Sequence, residues 1–387
     1  MYPNLYYAFK DLFGVDLPFL RFINSFGFFV ALAFLAAAAI LSRELQRKSG
    51  QGLLQPVEEQ VMVGQPATIP DLLINFLLGF VLGYKILALF FLSSDTTQDP
   101  QTFIFSSMGN WPLGIGMGLL FAGLKWWEKR KQQLSKPEKR IVRIWPQDRV
   151  GEITILALIF GLLGAKLFDI FENWSDFIKH PATYLLSPSG LTFYGGLICA
   201  AIAIIIFARK NKISLRHLAD ALAPALMIAY AIGRIGCQVA GDGDWGIVNN
   251  KSKPFTWLPN WMWAYRYPHN VNEVDTPIAG CVGKYCYQLA EPHYPTPFYE
   301  TIICFILFLA LWSLRKKLKP YGALFALYLI FNGIERFFIE KIRVNNRISL
   351  FGLNPTQAEV IAIGLVLTGI GLWIFLKKKY DIVPTKV

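Results

Sequence analysis

Nine largely apolar runs dominate the chain, near residues 19–42, 71–92, 111–127, 151–171, 190–208, 218–240, 297–314, 320–341 and 356–376. A helix needs about 20 apolar residues to cross a bilayer's hydrocarbon core, and its backbone polar groups must be satisfied within the segment. The run at 111–127 is short and glycine-rich, with Gly114, Gly116, Gly118 and Gly123. With 54% hydrophobic and 17% charged residues, the chain fits neither an ordinary soluble domain nor a disordered one. The sequence predicts an all-α polytopic membrane protein of about nine transmembrane helices, forming a single integral membrane domain over 1–387.

A net charge of +12 would suggest nucleic acid in a soluble protein. Here the cations cluster in short loops, where they report orientation and anionic lipid, so no nucleic-acid partner is expected. One alternating set of loops is basic: Arg43, Arg47 and Lys48; Lys129 to Arg149; Arg209 to Arg216; Arg315 to Lys319; and Lys377 to Lys379. The other set is poor in cations, with none at 93–110 and only Lys179 at 172–189. Residues 241–296 carry only Lys251, Lys253, Arg266 and Lys284. This asymmetry puts the N-terminus outside and the C-terminus in the cytoplasm. The first run is not read as a signal peptide, because it is long, barely basic before its start, and followed by positive charge.

Arg234 lies inside an apolar helix and is followed at once by the Gly- and Asp-rich turn 241–246. An arginine at membrane depth costs at least ~2.5 to 3.5 kcal/mol on insertion scales, so it needs a carboxylate, a carbonyl or a phosphate. Arg336, Glu340 and Arg343 share one helical face near the outer end of the eighth run. One carboxylate cannot neutralise two arginines, and an anionic ligand would complete the balance. Glu300, in Pro295-Thr-Pro-Phe-Tyr-Glu300, suits a first helical turn by dipole complementarity and should share the depth of Arg234 and Arg336.

Gly195 and Gly196 after Tyr194 allow close approach by another helix or by a ligand. Lys166, after Gly161 and Gly164, can snorkel to the outer surface. Cys281 and Cys286 lie in the outer loop as either a disulfide or two free thiols, with no zinc signature around them. The loop at 241–296 is read as an extracytoplasmic head, rich in Trp257, Trp261, Trp263, Tyr265 and Tyr267, resting on the outer membrane surface as an amphipathic cover. There is no Walker loop, dinucleotide fingerprint, zinc-protease helix or hydrolase elbow.

Gly233-Arg-Ile-Gly236 leading into Gly241-Asp242, with Thr192-Phe-Tyr-Gly-Gly-Leu197, Pro295 to Glu300 and Arg336-Phe-Phe-Ile-Glu340, resembles the bacterial prolipoprotein diacylglyceryl transferases. The resemblance spans about 151–376 plus the first helix. It implies a multi-pass enzyme of the bacterial inner membrane whose site faces the outer leaflet. Such an enzyme moves the diacylglyceryl group of phosphatidylglycerol onto the lipobox cysteine in a preprolipoprotein signal peptide. A thioether forms and glycerol phosphate leaves, with neither metal nor cofactor. Family members are built on seven spanning helices, so residues 71–150 read as an inserted helix pair followed by a basic cytoplasmic connector. That connector is either an ordinary positive-inside anchor or a segment lying on anionic inner-leaflet lipid.

The resemblance assigns phosphate binding to Arg234 and Arg336, with Gly195, Gly196, Gly233, Gly236, Arg343, Glu300 and, secondarily, Lys166 around the substrate. Where the family has histidine before the glycine pair, this chain has Tyr194, ranked first as proton acceptor ahead of Asp242, Asp244 and Glu340. Cys237, Asp242 and Lys166 also depart from the family's Asn, Glu and Arg. A non-catalytic phospholipid-binding or transport protein, or a transferase with another phospholipid donor, stays open as the alternative.

Overall fold

A computed structural model describes residues 1–90, 103, 108–186, 190, 192–344 and 354–382. Most of the expected outer loop 93–110 and the last residues of the second apolar run lie outside the described residues. All nine runs are helical: α1 (Ser25–Gly50), α2 (Ile69–Val81), α3 (Trp111–Gln132), α4 (Val150–Glu172), α5 (Phe193–Lys210), α6 (Leu215–Ala240), α7 (Thr296–Leu314), α8 (Ala323–Glu340) and α9 (Gln357–Ile382). Seven helical stretches among the described residues are long and apolar enough to cross a membrane, which defines an all-α polytopic membrane protein. The two others are α3, which ends in Lys129, Arg130 and Lys131, and α8, which contains Glu335, Arg336 and Glu340.

Helix α6 is the hub. Half of its membrane-length stretch is buried, against 11% for α2 with its continuation and 28% for α7. It packs on α1 and on both α7 and α8. One core cluster joins Leu41 and Leu45 of α1 to Leu218, Ala221 and Ala225 of α6. A second joins Met227 and Ala231 of α6 to Cys304, Phe308 and Leu311 of α7 and Leu324 of α8. Asp220 of α6 accepts from the backbone N–H of Gly322 (2.8 Å) and of Phe325 (3.2 Å), so a buried carboxylate caps the start of α8. Helices α4 and α5 pair with each other and touch the rest weakly.

Two strands flank α2 and α3 that the sequence reading did not anticipate. Residues 57–63 (β1) and 138–144 (β2) form an antiparallel ladder from Val57 opposite Ile144 to Val63 opposite Glu138. Residues 138–144 open on three consecutive charged residues and lack the period-two alternation that marks a strand in sequence. Beyond the ladder, α2 and α3 pack closely through glycines. A Cβ on Gly79 would stand 2.4 Å from the Met117 carbonyl oxygen, and one on Gly83 only 2.2 Å from that of Leu113. After Val81 the chain continues as a π turn, Leu82–Ile86.

The loop 241–296 forms a folded head. Tyr267, Asn249 and Asn270 are buried in it, Tyr265 and Val248 bridge to His293, and a short hairpin pairs Thr276–Pro277 (β3) with Tyr287–Gln288 (β4). The N-terminal amine donates to the Pro268 carbonyl at 2.8 Å, and Tyr2 N–H to Val239 O at 2.8 Å, which ties the chain start to the head. Cys281 and Cys286 are joined as a disulfide, with Cα atoms 5.6 Å apart.

Candidate active site

Glu300, fully buried in the first turns of α7, is the centre of an ion cluster. Pro297 at the helix start supplies a preset φ there, and the Thr296 hydroxyl donates to the Asp244 carbonyl at 2.6 Å. Three arginines converge on the Glu300 carboxylate: Arg234 Nε at 2.8 Å, Arg336 Nη1 at 3.3 Å and Arg343 Nη1 at 3.4 Å. Arg336 Nη2 also pairs with Glu340 one turn along α8, at 3.1 Å. Asp244 bridges the remaining sides by pairing with Arg234 Nη1 and Arg343 Nη2. Tyr230, one turn before Arg234 on α6, donates to Glu300 Oε1 at 3.4 Å and lies under the Arg234 guanidinium, 5.3 Å from ring centroid to Cζ.

The head places Asp244 and Arg343. Gly246 bridges Arg343, and Ile247 N–H donates to Ile342 O at 2.8 Å, so the turn after α6 is tied to the end of α8. A Cβ on Gly246 would meet the Ile342 carbonyl oxygen at 2.4 Å, which is why glycine stands there. Gly241, at φ 65°, supplies the left-handed cap that ends α6 and starts the turn. Burial pushes the Asp244 carboxyl up, but the Arg234 and Arg343 guanidiniums outweigh it and hold the group below the ordinary value. Asp242 is pushed up, first by burial and then by the adjacent Asp244 charge.

The charge argument drawn from sequence is corrected by this geometry. Asp244 and Glu300 join Glu340, so three guanidiniums face three carboxylates and no ligand is needed for balance. The arginines still retain donors. Arg343 Nε is buried without a hydrogen-bond partner among the described residues. Side-chain exposures of 16% for Arg234 and 19% for Arg336 leave both partly accessible.

The other expected site residues divide. Tyr194 is half-buried at the start of α5, in the electrostatic field of Arg336, Glu340 and Arg343, and its hydroxyl makes no hydrogen bond to a described residue. Asp242 accepts from Asp244 N–H at 3.4 Å. Gly233 is open, with no atom within 4 Å of a Cβ placed on it. Gly236 instead packs on α1, its Cβ position 3.0 Å from Phe29 Cβ. For Gly195 and Gly196 the neighbour is another helix: their Cβ positions lie 2.3 Å from Phe168 Cβ and 2.7 Å from Gly161 O. Lys166 pairs with Asp169 at 3.7 Å and approaches Gly190 O at 3.5 Å on the α4–α5 pair.

Sequence reading passed over Tyr230 and Glu335, and admitted Asp244 only as an alternative base. Tyr230 stands four residues before Arg234, and Glu335 is an ionisable residue in an apolar helix; both are readable signals. Cys237, Asp242 and Asp244 bring ligand atoms within 4.8 Å of one another. Arg234 Nη1 lies 3.8 Å from Cys237 Sγ and pairs with Asp244, so a guanidinium already occupies this group's cationic position.

Fold and site together define a polytopic helical membrane protein with a buried, arginine-rich ion cluster where α6, α7 and α8 meet the head. Residues 113–375 match the prolipoprotein diacylglyceryl transferases, and the chain belongs to that family. The match starts inside α3. The chain is similar to the phosphatidylglycerol–prolipoprotein diacylglyceryl transferase of Shouchella clausii, 30% identical over 231 residues, covering 59% of this chain and 76% of the relative. The enzyme of the same name from Clostridium novyi is 30% identical over 224 residues, 58% of this chain and 77% of the relative. That of Dehalococcoides mccartyi is 27% identical over 296 residues, 74% and 96% respectively.

Proposed function

We propose that the protein transfers the diacylglyceryl group of phosphatidylglycerol to the lipobox cysteine of preprolipoprotein signal peptides. The observation that carries this reading is the convergence of Arg234, Arg336 and Arg343 on Glu300 and Asp244, in a chain of this family. Buried guanidiniums with spare N–H groups bind a phosphodiester by charge-assisted hydrogen bonds, and stabilise the charge that grows on it as it leaves. Asp244 and Glu300 keep the guanidiniums aligned while no lipid is bound. The cysteine sulfur attacks the glyceryl carbon, a C–S bond forms as the C–O bond to phosphate breaks, and glycerol phosphate departs. Tyr194 relays the thiol proton, its phenolic oxygen accepting it while its own O–H proton passes to the departing phosphate oxygen, with Asp242 and Glu340 as the nearby carboxyl alternatives. Gly233 leaves room for the substrate beside Arg234, whereas Gly195, Gly196, Gly236 and Lys166 shape the surrounding helices.

All nine helices span, with the N-terminus outside and the C-terminus in the cytoplasm, because the basic loops alternate. The head and ion cluster then face the outer leaflet of the inner membrane, where phospholipid and secreted lipobox peptides meet. The test is purified protein with labelled phosphatidylglycerol and a lipobox peptide, read by mass spectrometry. A diacylglyceryl thioether is the expected product. Its absence from folded, lipid-loaded protein, in an assay where a known transferase succeeds, would refute the reading.

A further inference from the structure

The head holds a cavity of ≈ 610 Å³ to which the ion cluster contributes no side chain. Residues 241–296 carry four cations, and three of them, Lys251, Lys253 and Arg266, line it. None of the five carboxylates in the same stretch, Asp242, Asp244, Glu273, Asp275 and Glu291, does so. Lys253 Nζ donates to the Leu258 carbonyl at 3.0 Å. The ion pairs that 241–296 makes among the described residues all belong to Asp244, so the exposed Lys251 and Arg266 face the cavity without an anion. The frame around them is cross-linked. Asn249, only 1% exposed, donates to Trp263 O at 2.7 Å and accepts from Lys251 N–H at 3.2 Å, while Trp263 Nε1 donates to Lys251 O at 2.9 Å. Tyr265 and His293 exchange two backbone hydrogen bonds of 2.9 Å.

These features define a ligand by class. Two uncompensated cations call for negative charge. Beyond Ala264 and two prolines no aliphatic side chain lines the cavity, so an acyl chain finds no wall there. Its volume lies within the range of about 300–1,000 Å³ that holds whole small molecules, well beyond a single phosphate group. The side-chain amides of Asn250, Asn260 and Gln288 offer both donors and acceptors, which suits the backbone of an extended peptide. Position points the same way. Asp244 pairs with Arg234 and Arg343 in the cluster, and Asn249 stands in the cavity wall five residues later. A chain spans at most about 3.6 Å per residue, so these two residues lie within about 18 Å of each other. A polypeptide held at the cluster by its cysteine reaches the cavity with the five or so residues that follow.

We propose that this cavity is the subsite for the acceptor chain just beyond the lipobox cysteine, and that Lys251 and Arg266 select acidic residues there. The inference rests on the reading above that the acceptor is a preprolipoprotein. Lys251 and Arg266 are specificity-determining residues and take no part in the transfer itself.

The probe is a fluorescent lipobox signal peptide with serine in place of its cysteine, so that it binds without reacting, extended by a short tail carrying two aspartates, two serines or two lysines. Its affinity for the full-length protein in nanodiscs is read by anisotropy at low salt. Wild type is expected to bind the aspartate tail about three- to tenfold more tightly than the serine tail, the effect of two exposed ion pairs, and the lysine tail most weakly. Added salt should erase the preference by screening. Lys251→Gln combined with Arg266→Gln should bind the aspartate and serine tails alike, and Lys251→Glu combined with Arg266→Glu should favour the lysine tail. Both side chains are exposed, so neither pair of substitutions disturbs the cross-linked frame. Equal binding of the three tails by wild type, or an aspartate preference that survives both double variants, overturns the proposal. So does a lipid headgroup in the cavity, seen as equal tail affinities together with an anionic lipid that copurifies with wild type and is lost from the Gln variant. Affinity does not depend on turnover. A tail preference in a protein that makes no thioether would count against the transferase reading alone, and thioether formation without a preference against this subsite alone.

Discussion

Glu300 shares one buried carboxylate among three guanidiniums, so its removal is costlier than that of any single cation. Glu300→Gln leaves Arg234, Arg336 and Arg343 facing Asp244 and Glu340 alone, and breaking a buried pair from one side costs about 3–5 kcal/mol. We expect a much lower thermal midpoint in detergent together with loss of turnover. Tyr194→Phe removes no hydrogen bond to a described residue, so it should leave the midpoint unchanged while slowing the reaction. Full turnover in Tyr194→Phe would take the phenol out of the chemistry. Asp244 adds a pH test. Its carboxyl is held below the ordinary value despite burial, by Arg234 and Arg343, so its stabilisation is complete above the unfolded value of about 3.9 and fades as pH falls through the folded one. The stability gap between wild type and Asp244→Asn should be flat from about pH 5 upward and shrink only below about 4. A gap that changed between pH 5 and 7 would contradict the assignment. The arginines were legible in the sequence because lipid tolerates them so poorly. Their acidic partners were harder to see, since Asp244 reaches Arg343 only through the fold of the head, 99 residues apart in sequence.

At the scale of helices, the glycines of the site motifs do two different jobs that the sequence does not separate. Gly195 and Gly196 are spacers for α4: a methyl on Gly195 would sit 2.3 Å from Phe168 Cβ and 2.6 Å from the Gly164 carbonyl oxygen, which only backbone movement could relieve. Gly195→Ala should therefore destabilise the α4–α5 pair by about 1–3 kcal/mol, the usual cost of overpacking. Gly233 meets nothing within 4 Å, and Gly to Ala inside a helix is worth up to about 1 kcal/mol in stability. Thermal melts of the two variants should thus move in opposite directions. If Gly233 also leaves room for substrate, Gly233→Ala will melt at or above wild type and still turn over slowly. Both sites read alike in sequence because small residues in an apolar helix signal close approach without naming what approaches. The same limit applied to 138–144, where dense cationic charge concealed a strand.

In the whole molecule, the segment from β1 to β2 is closed on itself. Its first and last strand residues, Val57 and Ile144, are partners in the ladder, and such partners stand only about 5 Å apart. Between them α2 and α3 bury their glycine faces against each other and leave Leu73, Leu77 and Leu78 of α2 and Leu119, Leu120 and Leu124 of α3 exposed. Described links to the remainder include the Arg149–Glu59 ion pair and the packing of Phe22 near Ala88 and Phe103. By contrast, the ion cluster draws every member from α6, the head, α7, α8 and the turn that follows α8. The nine helical runs were readable from apolar length alone, but the autonomy of this unit was not, because it depends on a pairing between segments 75 residues apart or more. Excising 57–144 and joining Pro56 to Trp145 through a few glycines should therefore spare the α6 hub and the cluster. The variant is expected to reach the membrane, melt cooperatively a few degrees below wild type, and keep turnover within a few-fold. If it fails to accumulate, or melts without cooperativity while a variant lacking only the Arg149–Glu59 pair does not, the segment is part of the folding core rather than an addition to it.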